Sequence, residues 1–258
     1  MVKVAALEGE LMQARARGTS IAAFTGRPGG LSMQDAYAIG ARLLERRIAE
    51  RWTRRGWKIG FTNQRLWKQL GLDQPIWAAI YEETVSTSDE LEGGSVVQPR
   101  IEPEIVLGFR SALRPGASAD QVADAVAWAA PAFEIVECHF HDWAIRPADA
   151  VADAGVHAAL RLGRETKIDQ AAARDLAGLD VTLFLNGEEA AVGKGRDVLG
   201  GPVEAVEWLL RTMPHGLTAN DIVTTGTLTH AFPVLAGQTW RLRLEGSDGL
   251  AGMELRLV

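Results

Sequence analysis

Apolar positions in the first fifty residues recur at helical intervals. A helix is expected over about residues 3–17, and a second one follows Ser32. The Ser32 hydroxyl can cap that helix, and Asp35 sits favourably in its first turn. Ala36, Ile39, Leu43 and Ile48 form its apolar stripe, leaving Arg42, Glu45 and Arg46 outward. The GRPGG run at 26–30 separates the two helices as a loop.

From Trp57 the pattern changes to short extended segments. WKIGF (57–61), RIEPEIVLGF (100–109) and AFEIVE (132–137) read as strands, and 118–129 as a short amphipathic helix carrying Val122, Val126 and Trp128. Asn186-Gly187, between two extended runs, is a hairpin signal. Residues 202–213, opening on Pro202, read as a helix. The end is extended again: DIVTTGTLT, QTWRLRLEG and GMELRLV. Strands outnumber helices after residue 57 and lack regular βαβ spacing. The expected class is therefore α+β, with a mixed, curled sheet over 57–258 and a helical N-terminal segment over 1–56.

Composition narrows the function. With 47% hydrophobic residues in 258, the chain can bury a sizeable core. A net charge of -6 argues against nucleic-acid binding, and the basic run RRIAERWTRR (46–55) reads as a solvated helix face. The single cysteine, Cys138, excludes an internal disulfide and a multi-cysteine zinc site, and fits a reducing cytoplasm. The opening stretch interrupts its apolar residues with acids and lacks a signal-peptide core. No apolar run approaches the roughly 20 residues that span a bilayer. A soluble, cytoplasmic protein is expected, partnered with neither membrane nor nucleic acid.

Chemistry concentrates in the carboxylates. Glu102 and Glu104 are two apart in Ile-Glu-Pro-Glu-Ile-Val-Leu, so a strand would project both from one face. If that face is covered, the two repel each other and lose hydration, and a divalent cation offsets both penalties. Pro103 donates no ladder hydrogen bond, which suggests an edge or an irregular strand end. Glu134, in a second apolar strand, supplies a third carboxylate; three such oxygens suit magnesium or manganese rather than zinc. An exposed polar face remains the alternative on spacing alone. Glu137 is offset to the opposite face from Glu134 and is assigned to structure or solvent. ECHFHDW, with Cys138, His139, His141 and Asp142, has no matching second ligand pair and reads as loop or supporting structure.

WKIGFT (57–62), LGLDQPIW (70–77), PRIEPEIVLGF (99–109), FEIVE (133–137), GKGRDVLGGPVEAVEWL (193–209) and DIVTTGTLTHAFPVLAGQ (221–238) occur in this order over nearly the whole chain. Together they resemble the fumarylacetoacetate hydrolase superfamily, and within it the 2-keto-4-pentenoate hydratase and 4-oxalocrotonate decarboxylase branch. The resemblance implies the curled β-roll of that family's C-terminal domain and a Mg2+ or Mn2+ cofactor on Glu102, Glu104 and Glu134. It also implies that Lys58 is an acid/base group or a partner of the substrate carboxylate, its pKa drawn toward neutrality by partial burial. Thr225, Gly226 and Thr227 would cradle a substrate carboxylate. A homo-oligomer is implied, with association with a paralogous pathway enzyme as a further option.

Two departures bear on the reaction. Hydratases of this branch commonly carry Pro-Asp-Phe-Gly where this chain has Pro75-Ile76-Trp77-Ala78, which is closer to the decarboxylase pattern. The family's Ala-Asp-Asn-Ala-Ser becomes Ala152-Asp153-Ala154-Gly155-Val156, followed by His157, either a replacement proton carrier or a core histidine. The resemblance implies a hydratase of 2-hydroxypenta-2,4-dienoate, or a related 2-oxo or 2-hydroxydienoic acid from aromatic breakdown. A vinylogous 2-oxoacid decarboxylase is the alternative. Acylpyruvate hydrolysis and a non-catalytic binding subunit stand further off.

Overall fold

The computed structural model describes residues 2–91, 96–247 and 249–258. Its helices are α1 (Val2–Arg17), α2 (Met33–Ala49), α3 (Trp67–Leu70), α4 (Ala119–Ala125), α5 (Pro147–Ala152), α6 (Gln170–Asp175) and α7 (Pro202–Thr212). Ser32 caps α2, its Oγ accepting the Asp35 N–H at 3.1 Å. Ala36, Ile39 and Leu43 are buried, whereas Ile48 is exposed. Five residues past Leu43, it has rotated off the apolar stripe.

The strands are β1 (Arg54–Gly60), β2 (Ile76–Tyr81), β3 (Val85–Ser86), β4 (Glu90–Leu91), β5 (Arg100–Phe109), β6 (Val126–Val136) and β7 (His157–Leu162). There follow β8 (Thr166–Lys167), β9 (Asp180–Leu185), β10 (Glu188–Lys194), β11 (Ile222–Thr224), β12 (Phe232–Pro233), β13 (Thr239–Glu245) and β14 (Met253–Leu257). A mixed sheet runs β2-β1-β11-β5-β6-β7-β3, with β12 joined to β5 and β8 to β6. A smaller sheet runs β10-β9-β13-β14-β4. Asn186 and Gly187, at φ 51° and 91°, make the hairpin between β9 and β10, as Asn-Gly favours.

Two expectations give way here. The helix expected over 118–129 stops at Ala125, and Val126–Val136 is strand, with Trp128 opposite Gly108 on β5. A long antiparallel ladder with β5 and pairing to β8 outweigh the local alanine-rich helix preference. Nor is the Pro103 segment an edge, for β5 lies in the middle of the sheet. Its unmatched proline faces the gap between β11 and β12, where the Pro103 carbonyl accepts the Leu228 N–H at 2.9 Å.

Alternation along the central strands sorts core from site. On β5, Ile101, Ile105, Leu107 and Phe109 enter the main core, joined by Phe133 and Ile135 of β6 and by Trp57 and Ile59 of β1. The intervening residues, Lys58, Glu102, Glu104 and Glu134, therefore share the opposite face. Part of that face is closed by Val106, Ala130, Ala132 and Leu160. The helical segment covers the Val136 end, packing α1, α2 and α5 into a separate apolar cluster. Partly buried Arg15 of α1 ties that cluster down, 2.9 Å from Asp153 and 3.3 Å from Glu137.

Candidate metal centre and substrate cavity

Strand register brings the acids together. Glu102 and Glu134 are direct partners across β5 and β6, and Glu104 stands one pleat further along β5. One carboxylate oxygen from each lies within 4.8 Å of the others, the one such acidic group among the described residues. Glu104 and Glu134 are fully buried. Among the described residues, Glu104 Oε1 and Glu134 Oε2 have no hydrogen-bond partner.

Lys58 enters from β1. It is buried, its Nζ donates to the Gly155 carbonyl at 3.0 Å and lies 3.1 Å from Glu134 Oε2, close enough to pair but not aligned to hydrogen-bond. Gly155, at φ 65°, allows this approach, since a Cβ there would stand 2.9 Å from Lys58 Cδ. His157 holds the other side of Glu134, its Nδ1 2.8 Å from Oε1. A carboxylate only accepts, so that nitrogen carries the hydrogen. The ring's Nε2 lies 2.8 Å from the Thr84 hydroxyl oxygen, which is 2.9 Å from the Tyr81 carbonyl.

The electrostatics separate the three acids. Burial pushes Glu102 up to about 7, with Lys58 opposing and the Glu134 charge adding. Glu104 is held well above the usual carboxylate range by burial and by Glu134. Glu134 goes the other way: burial acts against its charge, but Lys58 and His157 hold it at about 2. The expectation that burial brings Lys58 toward neutrality is reversed. Burial does favour the neutral amine, yet Glu134, Glu102 and Glu104 outweigh it and raise the pKa.

One lysine thus compensates one ionised carboxylate and leaves two acids that resist ionisation, beside two buried oxygens without donors. A divalent cation satisfies this set: its charge removes the repulsion and its coordination occupies the orphaned oxygens. All-oxygen donors fit a hard ion.

The family described as fumarylacetoacetate (FAA) hydrolase C-terminal matches residues 77–256. The chain belongs to this family. It is 31% identical over 245 residues to a 2-hydroxyhexa-2,4-dienoate hydratase of Comamonas testosteroni, covering 92% of this chain and 91% of that one. A 2-hydroxypent-2,4-dienoate hydratase of Pseudomonas putida is 34% identical over 212 residues, 80% of this chain and 93% of its own length. In fold the chain is similar to a 4-oxalocrotonate decarboxylase from Pseudomonas putida G7 complexed with magnesium and adipate. There the TM-score is 0.90 and the identity 24%, over 99% of this chain and 97% of the other.

Within this fumarylacetoacetate hydrolase fold, the TTGTLT loop lies beside β5. Gly226 donates its N–H to Glu104 Oε2 at 2.9 Å. Its φ of 102° and the Thr62 hydroxyl against it, 1.8 Å from where a Cβ would stand, require glycine. Thr225 turns away, its Oγ1 donating to the Ile105 carbonyl at 2.9 Å. Thr227 lines a cavity of about 400 Å³ beside Glu102, with Leu66, Leu72, Trp143, Ile145 and Arg100. Sequence reading passed over Thr84 and Arg100. Arg100 carried a usable signal, being two residues before Glu102 on the same strand face; Thr84 carried none, since it meets His157 only through tertiary contact.

The other polar residues are structural. Asp153 accepts from the His139 N–H at 2.9 Å and lies 3.0 Å from its Nδ1. Burial would raise Asp153, but Arg15 and His139 hold it below the usual range. His141 Nδ1 is 2.8 Å from the Ser20 hydroxyl. Burial pushes the Cys138 thiol up to about 12, which leaves it inert.

Proposed function

We propose that this chain is a divalent-metal-dependent hydratase of 2-hydroxypenta-2,4-dienoate or a closely related 2-hydroxydienoic acid. The observation that carries the reading is the convergence of Glu102, Glu104 and Glu134, with two buried oxygens that accept no hydrogen bond, next to a cavity that Glu102 lines together with Leu66, Leu72, Trp143 and Ile145. Hydratase relatives that align over 92% and 80% of the chain support it.

Glu102, Glu104 and Glu134 would hold Mg2+ or Mn2+. Such an ion, when bound, supplies Lewis-acid stabilisation of negative charge on a 2-oxoacid. Lys58 serves as the proton carrier at the metal-facing end of the substrate, its Nζ held by the Gly155 carbonyl and by Glu134. His157 orients Glu134, and Thr227 offers a hydroxyl to the substrate. Leu66, Leu72, Trp143 and Ile145 flank the hydrocarbon chain and limit water to the reacting end. In this reading residues 57–258 form the catalytic unit and 1–56 a helical buttress. The enzyme works in the cytoplasm, a placement that its single buried cysteine supports, and as a homo-oligomer, as the family resemblance implies.

A vinylogous 2-oxoacid decarboxylase is the second reading. It is favoured by the absence of an acid at Ile76–Ala78: Ile76 is buried, and Ala78 is the direct strand partner of Lys58. The deciding experiment adds magnesium or manganese to chelator-treated protein with a 2-hydroxydienoate and, separately, with an unsaturated 2-oxo dicarboxylate, following absorbance together with carbon dioxide release. Metal-dependent loss of absorbance without gas is expected. Gas release moves the assignment to the decarboxylase, and no metal-dependent turnover of either substrate removes both readings.

A further inference from the structure

Donors near the acidic cluster are mostly engaged within the protein. Lys58 bonds the Gly155 carbonyl and pairs with Glu134, the Gly226 N–H is on Glu104, and the Thr225 hydroxyl is on Ile105. Besides the Thr227 hydroxyl, which has no partner among the described residues, Arg100 is different. It lines the cavity next to Glu102, is partly buried, and among the described residues its guanidinium has neither a hydrogen bond nor an ion-pair partner. Its Cζ instead lies 4.6 Å from the centre of the Trp143 ring.

That stacking is built with care. Gln98 donates from Nε2 to the carbonyls of Cys138 and Phe140, at 2.8 and 2.7 Å. Its Oε1 accepts the Asp142 N–H at 2.9 Å, and its carbonyl accepts the Trp143 indole N–H at 3.0 Å. Gln98, Asp142 and Trp143 all adopt left-handed φ values of 51°, 55° and 57°, which side-chain-bearing residues seldom hold without compensation. The Gln98 side-chain amide thus pins the 138–142 segment, and its carbonyl fixes the indole that lies against the guanidinium. A ring face leaves the guanidinium's edge free, and that edge is the part that grips a carboxylate.

We infer that Arg100, laid over Trp143, is the receptor for a carboxylate of the substrate in this cavity. The inference rests on the reading of the cavity as a site for unsaturated 2-oxo or 2-hydroxy acids. The carboxylate is either the one beside the metal-binding acids or one at the far end of the molecule, and the two sources are separable.

Calorimetric titration of hexanoate and of adipate into the magnesium-loaded full chain tests it, with Arg100→Gln and Arg100→Lys alongside and thermal melts as the check on folding. Arg100→Gln should weaken binding about tenfold or more, as loss of a charge-assisted hydrogen bond does. Arg100→Lys, which keeps the charge but not the planar fork, should fall between. Equal loss for both acids assigns the metal-side carboxylate, and loss for adipate alone assigns the far end. Unchanged affinity in Arg100→Gln overturns the inference, as does a wild-type chain that binds neither acid. If Arg100→Gln does not fold, Arg100→Lys decides by the same criterion. Binding needs no turnover, so a chain that binds these acids but converts no dienoate defeats the functional reading alone. A working hydratase with unchanged KM in Arg100→Gln defeats this inference alone.

Discussion

Glu102 and Glu134 face each other as register partners across β5 and β6, and the whole centre depends on that pairing. A slip of one residue in either strand would carry its acid into the apolar core. The ten-residue ladder prevents this, because Ile101, Phe133 and Ile135 must stay on the core face.

Glu104→Gln keeps an acceptor for the Gly226 N–H but removes a metal-binding oxygen. Manganese affinity by calorimetry should fall by more than the roughly 10- to 100-fold typical of losing a supporting contact, and turnover should vanish. The metal-free variant should melt no lower than wild type, since a buried acid that resists ionisation has been replaced by a neutral group. Unchanged metal affinity removes the central claim.

Lys58→Ala should slow turnover about 100-fold or more, while manganese affinity moves less. In the metal-free protein it leaves ionised Glu134 without its nearest cation, a loss of about 3–5 kcal/mol in a denaturant melt. Equal losses in turnover and metal affinity would reduce Lys58 to a structural role.

Thr84→Val removes the hydroxyl that meets His157 Nε2 while keeping the side chain's size. His157 then orients Glu134 less firmly, and metal affinity should drop roughly 10- to 100-fold, with Thr84→Ser restoring it. Wild-type affinity in Thr84→Val would show that His157 is held without it.

Stability of the metal-free protein should fall as pH rises from about 4.5 to about 7. Glu102 is raised by burial to about 7 when folded, so the folded state binds the proton more tightly than the unfolded chain. That advantage is complete below the unfolded pKa and disappears as pH passes the folded one. Urea midpoints at several pH values check this, and saturating magnesium should flatten the trend. A midpoint that rises over this range without metal contradicts the assignment.

From the residues alone came whatever follows from local period and chemical type. The i, i+2 spacing placed Glu102 and Glu104 on one face, Ser32 and Asn186-Gly187 marked a helix start and a hairpin, and the apolar flanks of Glu134 pointed to a third acid. Resemblance of the ordered motifs to a family added Lys58. Only the tertiary structure decided that β5 is central, that Val126–Ala130 is strand, and that Thr84, Arg100 and the Gly155 carbonyl meet the site. It also reversed the Lys58 shift. The physical reason is common to these cases: periodicity reports which face a side chain occupies, whereas register, desolvation and summed charge arise between segments far apart in the chain and exist only once those segments have packed.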